Sequence, residues 1–225
     1  MCLSIEKQGN QTYHKSNRHV FSYQLICHRL KKENRGRWSI HNHKRYTTVA
    51  IFFHWIMAIA FIGMLCSGII MANFMAGDPL RWTIYGLHKA SGITLLILAV
   101  FRLLWRTIHK PPQLPSTIPH LDRVAAHLGH WFLYFLMFSL PLSGWIMSSA
   151  GGHVISMFKL FNWPFFPGAL GDKVLGRFFH EAHETLGYTA IVIISVHILA
   201  LAKHKFFDNT SVLYRMHIKR KDNPK

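Results

Sequence analysis

Apolar side chains along this chain collect into four long runs that charge scarcely interrupts. The first extends from about Thr48 to Phe74 and contains VAIFFHWIMAIAFIGMLCSGIIMANF. The second, from about Tyr85 to Trp105, has ITLLILAVFRLLW as its apolar body. The third, from about Leu128 to Ser149, contains HWFLYFLMFSLPLSGWIM, and the fourth, from about His183 to Ala202, reads HETLGYTAIVIISVHILALA. Each is about 20 residues long, the length a helix needs to cross a hydrocarbon core of about 30 Å. A helix of a soluble bundle keeps a polar face along its whole length, and these runs mostly do not. The pattern predicts an all-α integral membrane fold, a bundle of four transmembrane helices over residues 46–205. A basic extension, 1–45, precedes it and a basic tail, 206–225, follows.

Composition sharpens this. Half of the 225 residues are hydrophobic and 16% are charged, more apolar than a soluble core of this size needs. The formal charge of +17 would suit a nucleic-acid binder if it were spread over the chain, but it is not. Arg102, Arg106, Lys110 and Arg123 flank the second connection, and Lys203, Lys205, Arg215, Lys219, Arg220, Lys221 and Lys225 follow the fourth run. The first and third connections, with the helix ends beside them, hold only Arg81, Lys89, Lys159, Lys173 and Arg177. An excess of Lys and Arg marks the cytoplasmic side, so both termini and the middle connection are expected there, against anionic lipid, with no nucleic-acid partner. Residues 1–45 contain no apolar h-region, so no cleavable signal is expected and the stretch reads as a disordered tail. Pro111, Pro112, Pro115 and Pro119 predict a stiff inner loop. The outer loop, from about Ala150 to Arg177, is rich in Gly, Pro and aromatics, and Trp163 with its Phe neighbours is expected at the membrane interface.

Four histidines then stand out: His54, His88, His183 and His197 each lie in or at the mouth of an apolar run. An ionisable group within a membrane is costly and marks function. On the expected topology His54 lies near the inner start of the first span, and His88 near the outer start of the second. His183 opens the fourth span, and His197 follows fourteen residues later on the same helix. That interval is close to four turns, so the two share a face about 21 Å apart. Matching depths give two pairs, His88 with His183 outside and His54 with His197 inside. Facing helices of a bundle are where cofactor ligands are supplied, and two imidazoles fill both axial positions of a haem iron, which suits electron transfer. Zinc or copper fits less well, because each pair offers two nitrogens and no Cys or carboxylate completes a tetrahedral set. Cys2, Cys27 and Cys66 form no ligand spacing, and C-x-x-C-H is absent, so c-type haem attachment is excluded.

These residues carry a resemblance. From about Lys44 to Met216 the chain resembles the bacterial cytochrome b561 family, through RYTTVAIFFHW, LHKASGITLLILAVFRLLWR, AAHLGHWFLYFLMFSLPLSGWIMSS and HEAHETLGYTAIVIISVHILALAKHKFFDNTSVLYRM. The resemblance implies an inner-membrane protein with two haem b groups on His54, His88, His183 and His197. It further implies electron exchange between a quinone pool and a redox partner or small oxidant. Residues 1–43 lie outside the pattern.

Secondary candidates follow. Lys89 and Arg177 outside, and Arg45, Arg102 and Lys203 inside, are candidate partners for haem propionates, although topology and snorkelling also explain them. His127 and His130, spaced i, i+3, either shuttle protons for a quinone near the inner haem or cap the helix. His180, one turn before His183, competes with it or meets a propionate. Gly63, Gly68, Gly92, Gly129, Gly144 and Gly187 permit close helix approach or leave room for a flat macrocycle, and Pro141 is expected to kink the third span. Two other functions compete with the quinone-linked cytochrome. One is the haem-bearing anchor subunit of a hydrogenase or formate dehydrogenase. The other is a metal or proton transporter, which requires carboxylates along the path, where only Glu181 and Glu184 come near.

Overall fold

The computed structural model describes residues 46–73, 77–112 and 119–206, the side chains of His204 and Lys205 excepted. Arg45, the 1–45 extension, the tail beyond 206 and most of the Pro-rich connection therefore lie outside the described residues. Within them the chain forms four long helices: α1 (Thr48–Asn73), α2 (Leu80–Ile108), α3 (His120–Ala150) and α4 (Lys173–Phe206). They contain 26, 29, 31 and 34 residues, and each is long and apolar enough to cross a membrane.

Local chemistry explains where the helices start. The Thr47 hydroxyl accepts from the Ala50 N–H at 3.3 Å, the Asp78 carboxylate from the Leu80 N–H at 2.8 Å, and the Asp172 carboxylate from the Val174 and Leu175 N–H groups. Each satisfies donors that the first turn of a helix leaves without an internal partner. The helices begin at Leu80, His120 and Lys173 rather than at Tyr85, Leu128 and His183, where the apolar runs begin. Polar turns therefore extend past the apolar bodies, and an apolar pattern does not register them.

Cross-contacts fix the packing direction. From α1 to α2, Ser67 meets His88 and His54 meets Arg102, while Trp105 donates to Thr47. From α3 to α4, Asp122 meets Lys203, His130 meets His197 and Ser143 meets His183. Both ladders run in opposite senses along the two helices of each pair, so neighbours are antiparallel, as short connections require. One end of the bundle carries the start of α1 and the end of α4; the opposite end carries the α1–α2 connection and the segment between α3 and α4.

That last segment folds into a β-hairpin, β1 (Ile155–Met157) paired antiparallel with β2 (Phe161–Trp163). Ile155 and Met157 pack on Ala90 and Ile93 of α2, with Trp145 and Trp163 beside them. Trp163 is thus partly buried against Trp145, ring centroids 5.8 Å apart, and the loop that the sequence placed at the membrane interface has strand structure of its own. Two further cores hold the bundle. Met57, Leu95, Ala99 and Met137 tie α1, α2 and α3 together. Leu136, Leu140 and Ala190, with Phe61, Leu65, Leu186 and Ile193 against them, join α3 to α4 and to the middle of α1. Large apolar side chains such as Ile59, Phe101 and Leu199 face outward, the surface that lipid covers.

Candidate haem-binding site

At the hairpin end, α2 and α4 turn His88 and His183 toward each other, ring centroids 6.3 Å apart and planes at 80°. Two imidazoles bound by ring nitrogens to opposite sides of one metal, with bonds of about 2 Å, place their centroids about 6 Å apart. The other ring nitrogens are occupied. Ser67 spends its proton on the Met64 carbonyl at 2.9 Å, so its oxygen receives the Nδ1 proton of His88 at 2.8 Å. Ser143 likewise donates to the Leu140 carbonyl, and Nδ1 of His183 lies 3.0 Å from both the Ser143 oxygen and that same carbonyl. A carbonyl only accepts, so His183 carries its proton on Nδ1. Both rings are left with a bare Nε2 lone pair, the form that binds a metal.

A cavity of about 270 Å³ adjoins the pair, lined by Met64, Leu65, Ile93 and Leu140 and by Gly68, Gly92, Gly144 and Gly187. A Cβ added at Gly187 would meet nothing within 4 Å, whereas one at Gly144 would come within 3.1 Å of His183 Cε1 and one at Gly68 within 3.6 Å of His88 Cε1. Small residues thus leave space for the rings and for something flat beside them. The donor set and the cradle both fit a haem.

The opposite end of the bundle holds a different cluster. His54 and His197 share it with Arg102 and His130. Arg102 Nη2 lies 3.2 Å from His54 Nδ1, and a guanidinium has no lone pair to offer, so this nitrogen accepts. The ring against His197 is that of His130, at 5.6 Å, with its Nδ1 donating to the Ala126 carbonyl at 2.6 Å. The structure therefore separates the two histidines of the H-x-x-H motif: both are exposed, but His130 turns its ring to His197 and His127 has no such contact among the described residues.

The candidate propionate partners fare unequally. Lys89 lines the cavity, as do His180 and Glu184, while Arg177 is exposed and outside the cavity lining. Lys203 is ion-paired with Asp122 at 3.1 Å, a partner one helix away that no local pattern supplied, so a haem carboxylate would have to compete for it. Arg102 and Arg106 both stack over Tyr134, at 5.5 and 5.1 Å. Among the described residues, no group of three or more His, Cys, Asp or Glu is arranged around a metal ion.

Sequence reasoning missed Ser67 and Ser143. A signal was present: S-G-x-I-M occurs twice, at Ser67–Met71 in α1 and Ser143–Met147 in α3. In each copy the serine takes the Nδ1 proton of a histidine on a neighbouring helix, and the glycine faces the same ring.

Histidines opposed across a glycine-lined cavity, within four membrane-spanning helices, define a multi-pass membrane protein of the haem-binding class. Residues 45–217 match the family described as prokaryotic cytochrome b561, and the chain belongs to that family. It is 37% identical over 175 residues to cytochrome b561 homolog 2 of Escherichia coli (strain K12), covering 77% of this chain and 91% of the relative. It is 28% identical over 175 residues to the probable superoxide oxidase CybB of Yersinia pestis, covering 77% of this chain and 96% of that one. The chain is accordingly a bacterial inner-membrane protein that binds haem b and carries electrons across the membrane.

Proposed function

We propose that the chain carries electrons between two haem b groups, one held by His88 and His183 at the hairpin end and one by His54 and His197 at the other, and exchanges them with the quinone pool. The observation that carries this reading is the His88–His183 pair, 6.3 Å apart with each Nδ1 proton bound elsewhere. The second site rests on the four-turn interval between His183 and His197, which gives α4 two imidazoles on one face, and on His54 beside the same Arg102 as His197; to offer Nε2 to iron, His54 would move its proton to Nδ1 and give up the hydrogen bond from Arg102. His88, His183, His54 and His197 would hold the groups, and haem, when bound, would supply a reversible one-electron change. The protein's own residues do the rest. The serines orient the rings, the cores around Met57 and Leu136 exclude water between the sites, and Lys89 and Arg102 supply positive charge for haem carboxylates. We further assign the end that carries the start of α1 and the end of α4 to the cytoplasm, from Arg102, Arg106, Arg123 and Lys203 at that end. A quinone suits this fold because Ile69, Ala72 and Tyr188, on the rim of the cavity between α1 and α4, are open to the surroundings of the bundle, so a lipid-soluble molecule reaches them from the bilayer.

A second reading concerns the donor at the hairpin end. Lys89 in the cavity wall favours a small anion, and the Yersinia relative is named a probable superoxide oxidase; superoxide would then give one electron to the nearer haem and leave as oxygen.

The test is a reduced-minus-oxidised spectrum with pyridine haemochrome quantitation on purified protein. Two haems b per chain are expected in the wild type. His88→Ala or His183→Ala should remove one, and His54→Ala or His197→Ala the other. A colourless protein made with ample haem overturns the reading, and four variants that all keep both haems overturn the pairing. Adding a short-chain quinol and, separately, superoxide to the oxidised protein identifies the donor.

A further inference from the structure

The two ends of the bundle treat their histidines in opposite ways. At the hairpin end His88 donates from Nδ1 to Ser67, and His183 donates to Ser143 and the Leu140 carbonyl. At the other end, among the described residues, neither His54 nor His197 donates from Nδ1; the Arg102 guanidinium stands beside His54, where it would act on a metal-bound ring as a neighbouring charge rather than as a donor to Nδ1, and Arg106 stands over the same Tyr134 ring as Arg102. An imidazole that gives its Nδ1 proton to an acceptor becomes a more basic ligand and favours the oxidised metal. Fixed positive charge beside a site favours the reduced one, because reduction removes a unit of positive charge. Lys89 opposes this at the hairpin end, but among the described residues it is one cation in the cavity wall with no bond to either ring, against two arginines at the other end.

Resting on the two-haem reading, we propose that Ser67 and Ser143 are positioning residues that make the hairpin-end site the weaker electron holder. Transfer is then downhill from the site of His88 and His183 to the site of His54 and His197. In that step one iron is oxidised and the other is reduced by the same single electron, and no further reactant is needed. The two serines do not contribute equally. His183 keeps the Leu140 carbonyl if Ser143 is lost, whereas among the described residues Ser67 is the only acceptor at His88 Nδ1.

A potentiometric titration of the haem-loaded protein in lipid nanodiscs, followed at the α band, tests this. Two waves are expected, and the lower one should be missing in His88→Ala. Ser67→Ala should shift the lower wave toward easier reduction by about tenfold in equilibrium constant, about 59 mV for one electron, and leave the higher wave in place. Ser143→Ala should shift it less, and Ser67→Thr, which keeps a hydroxyl, should restore it. If Ser67→Ala moves neither wave or both together, or if the wave lost with His88 is the higher one, the proposal is wrong. A wild-type protein without haem would instead overturn the function reading beneath it.

Discussion

At the scale of single residues, the site depends on two glycines that are not equivalent. Helix interiors ordinarily gain about 0.5–1 kcal/mol when Gly becomes Ala, so neither substitution should harm the bare fold. The rings decide otherwise for one of them. A Cβ at position 68 would stand 3.6 Å from His88, an ordinary contact, whereas a Cβ at 144 would press His183 at 3.1 Å from Cε1 and 3.4 Å from Nδ1. His183 cannot yield freely, because its Nδ1 is held by Ser143 and by Leu140. Gly68→Ala should therefore keep two haems per chain and Gly144→Ala should lose one, with unchanged helical circular dichroism in both. Equal haem contents would show that ring position is not what Gly144 protects. The histidines themselves were legible in the sequence because an ionisable group in an apolar run has no inexpensive structural explanation. Ser67 and Ser143 were not, because a serine in a membrane helix can satisfy itself on the carbonyl one turn back, as both also do here. Only the register between helices shows that each oxygen has a second task. The same register explains Lys203, whose partner Asp122 lies on α3, and His130, which a local i, i+3 reading coupled to His127 and the structure couples to His197.

Among the elements, the four helices were readable from apolar length alone, and the hairpin was not. A type I′ β-turn has positive φ at both central positions, which Asn-Gly supplies at low cost. Here Met157 pairs with Phe161, so three residues connect the strands; Phe158 and Lys159 have φ of 52° and 64°, and the Leu160 N–H closes the turn on the Met157 carbonyl at 2.9 Å. Nothing in that dipeptide announces a turn. Left-handed backbone is unfavourable for a bulky side chain by about 1–2 kcal/mol per residue, and the conformation persists because Ile155 and Met157 are anchored on α2. Replacing Phe158–Lys159 by Asn-Gly should accordingly stabilise the hairpin, by about 1 kcal/mol or more. The reading is slower amide exchange at Ile155, Met157 and Trp163 in the apoprotein. Faster exchange would mean that the Phe158 and Lys159 side chains contribute more than their backbone costs. The hairpin also bears on the site: β1 seats on Ala90, the second residue after His88, so a firmer hairpin should hold that turn of α2 more rigidly.

For the whole molecule, the placement of chemistry at two levels of one bundle is what distinguishes a conductor from a binding protein. His183 and His197 are separated by fourteen residues of a single helix, a rise of about 21 Å, and the packed layer of Leu136, Leu140, Ala190 and Phe61 fills the interval. On the two-haem proposal the two sites would stand in series for an electron. That arrangement predicts a particular failure. In proteoliposomes with an electron acceptor sealed inside and a donor outside, oriented wild-type protein should reduce the trapped acceptor. Loss of the far pair through His54→Ala or His197→Ala should leave the hairpin-end haem in place and still reducible by a donor on its own side. The trapped acceptor should then stay oxidised. Loss of the near pair through His88→Ala should abolish both signals from that side while sparing reduction of the remaining haem from the other. If instead the single-haem proteins still carried electrons across at the wild-type rate, the two levels would not be in series, and the bundle would be serving a function at one face only.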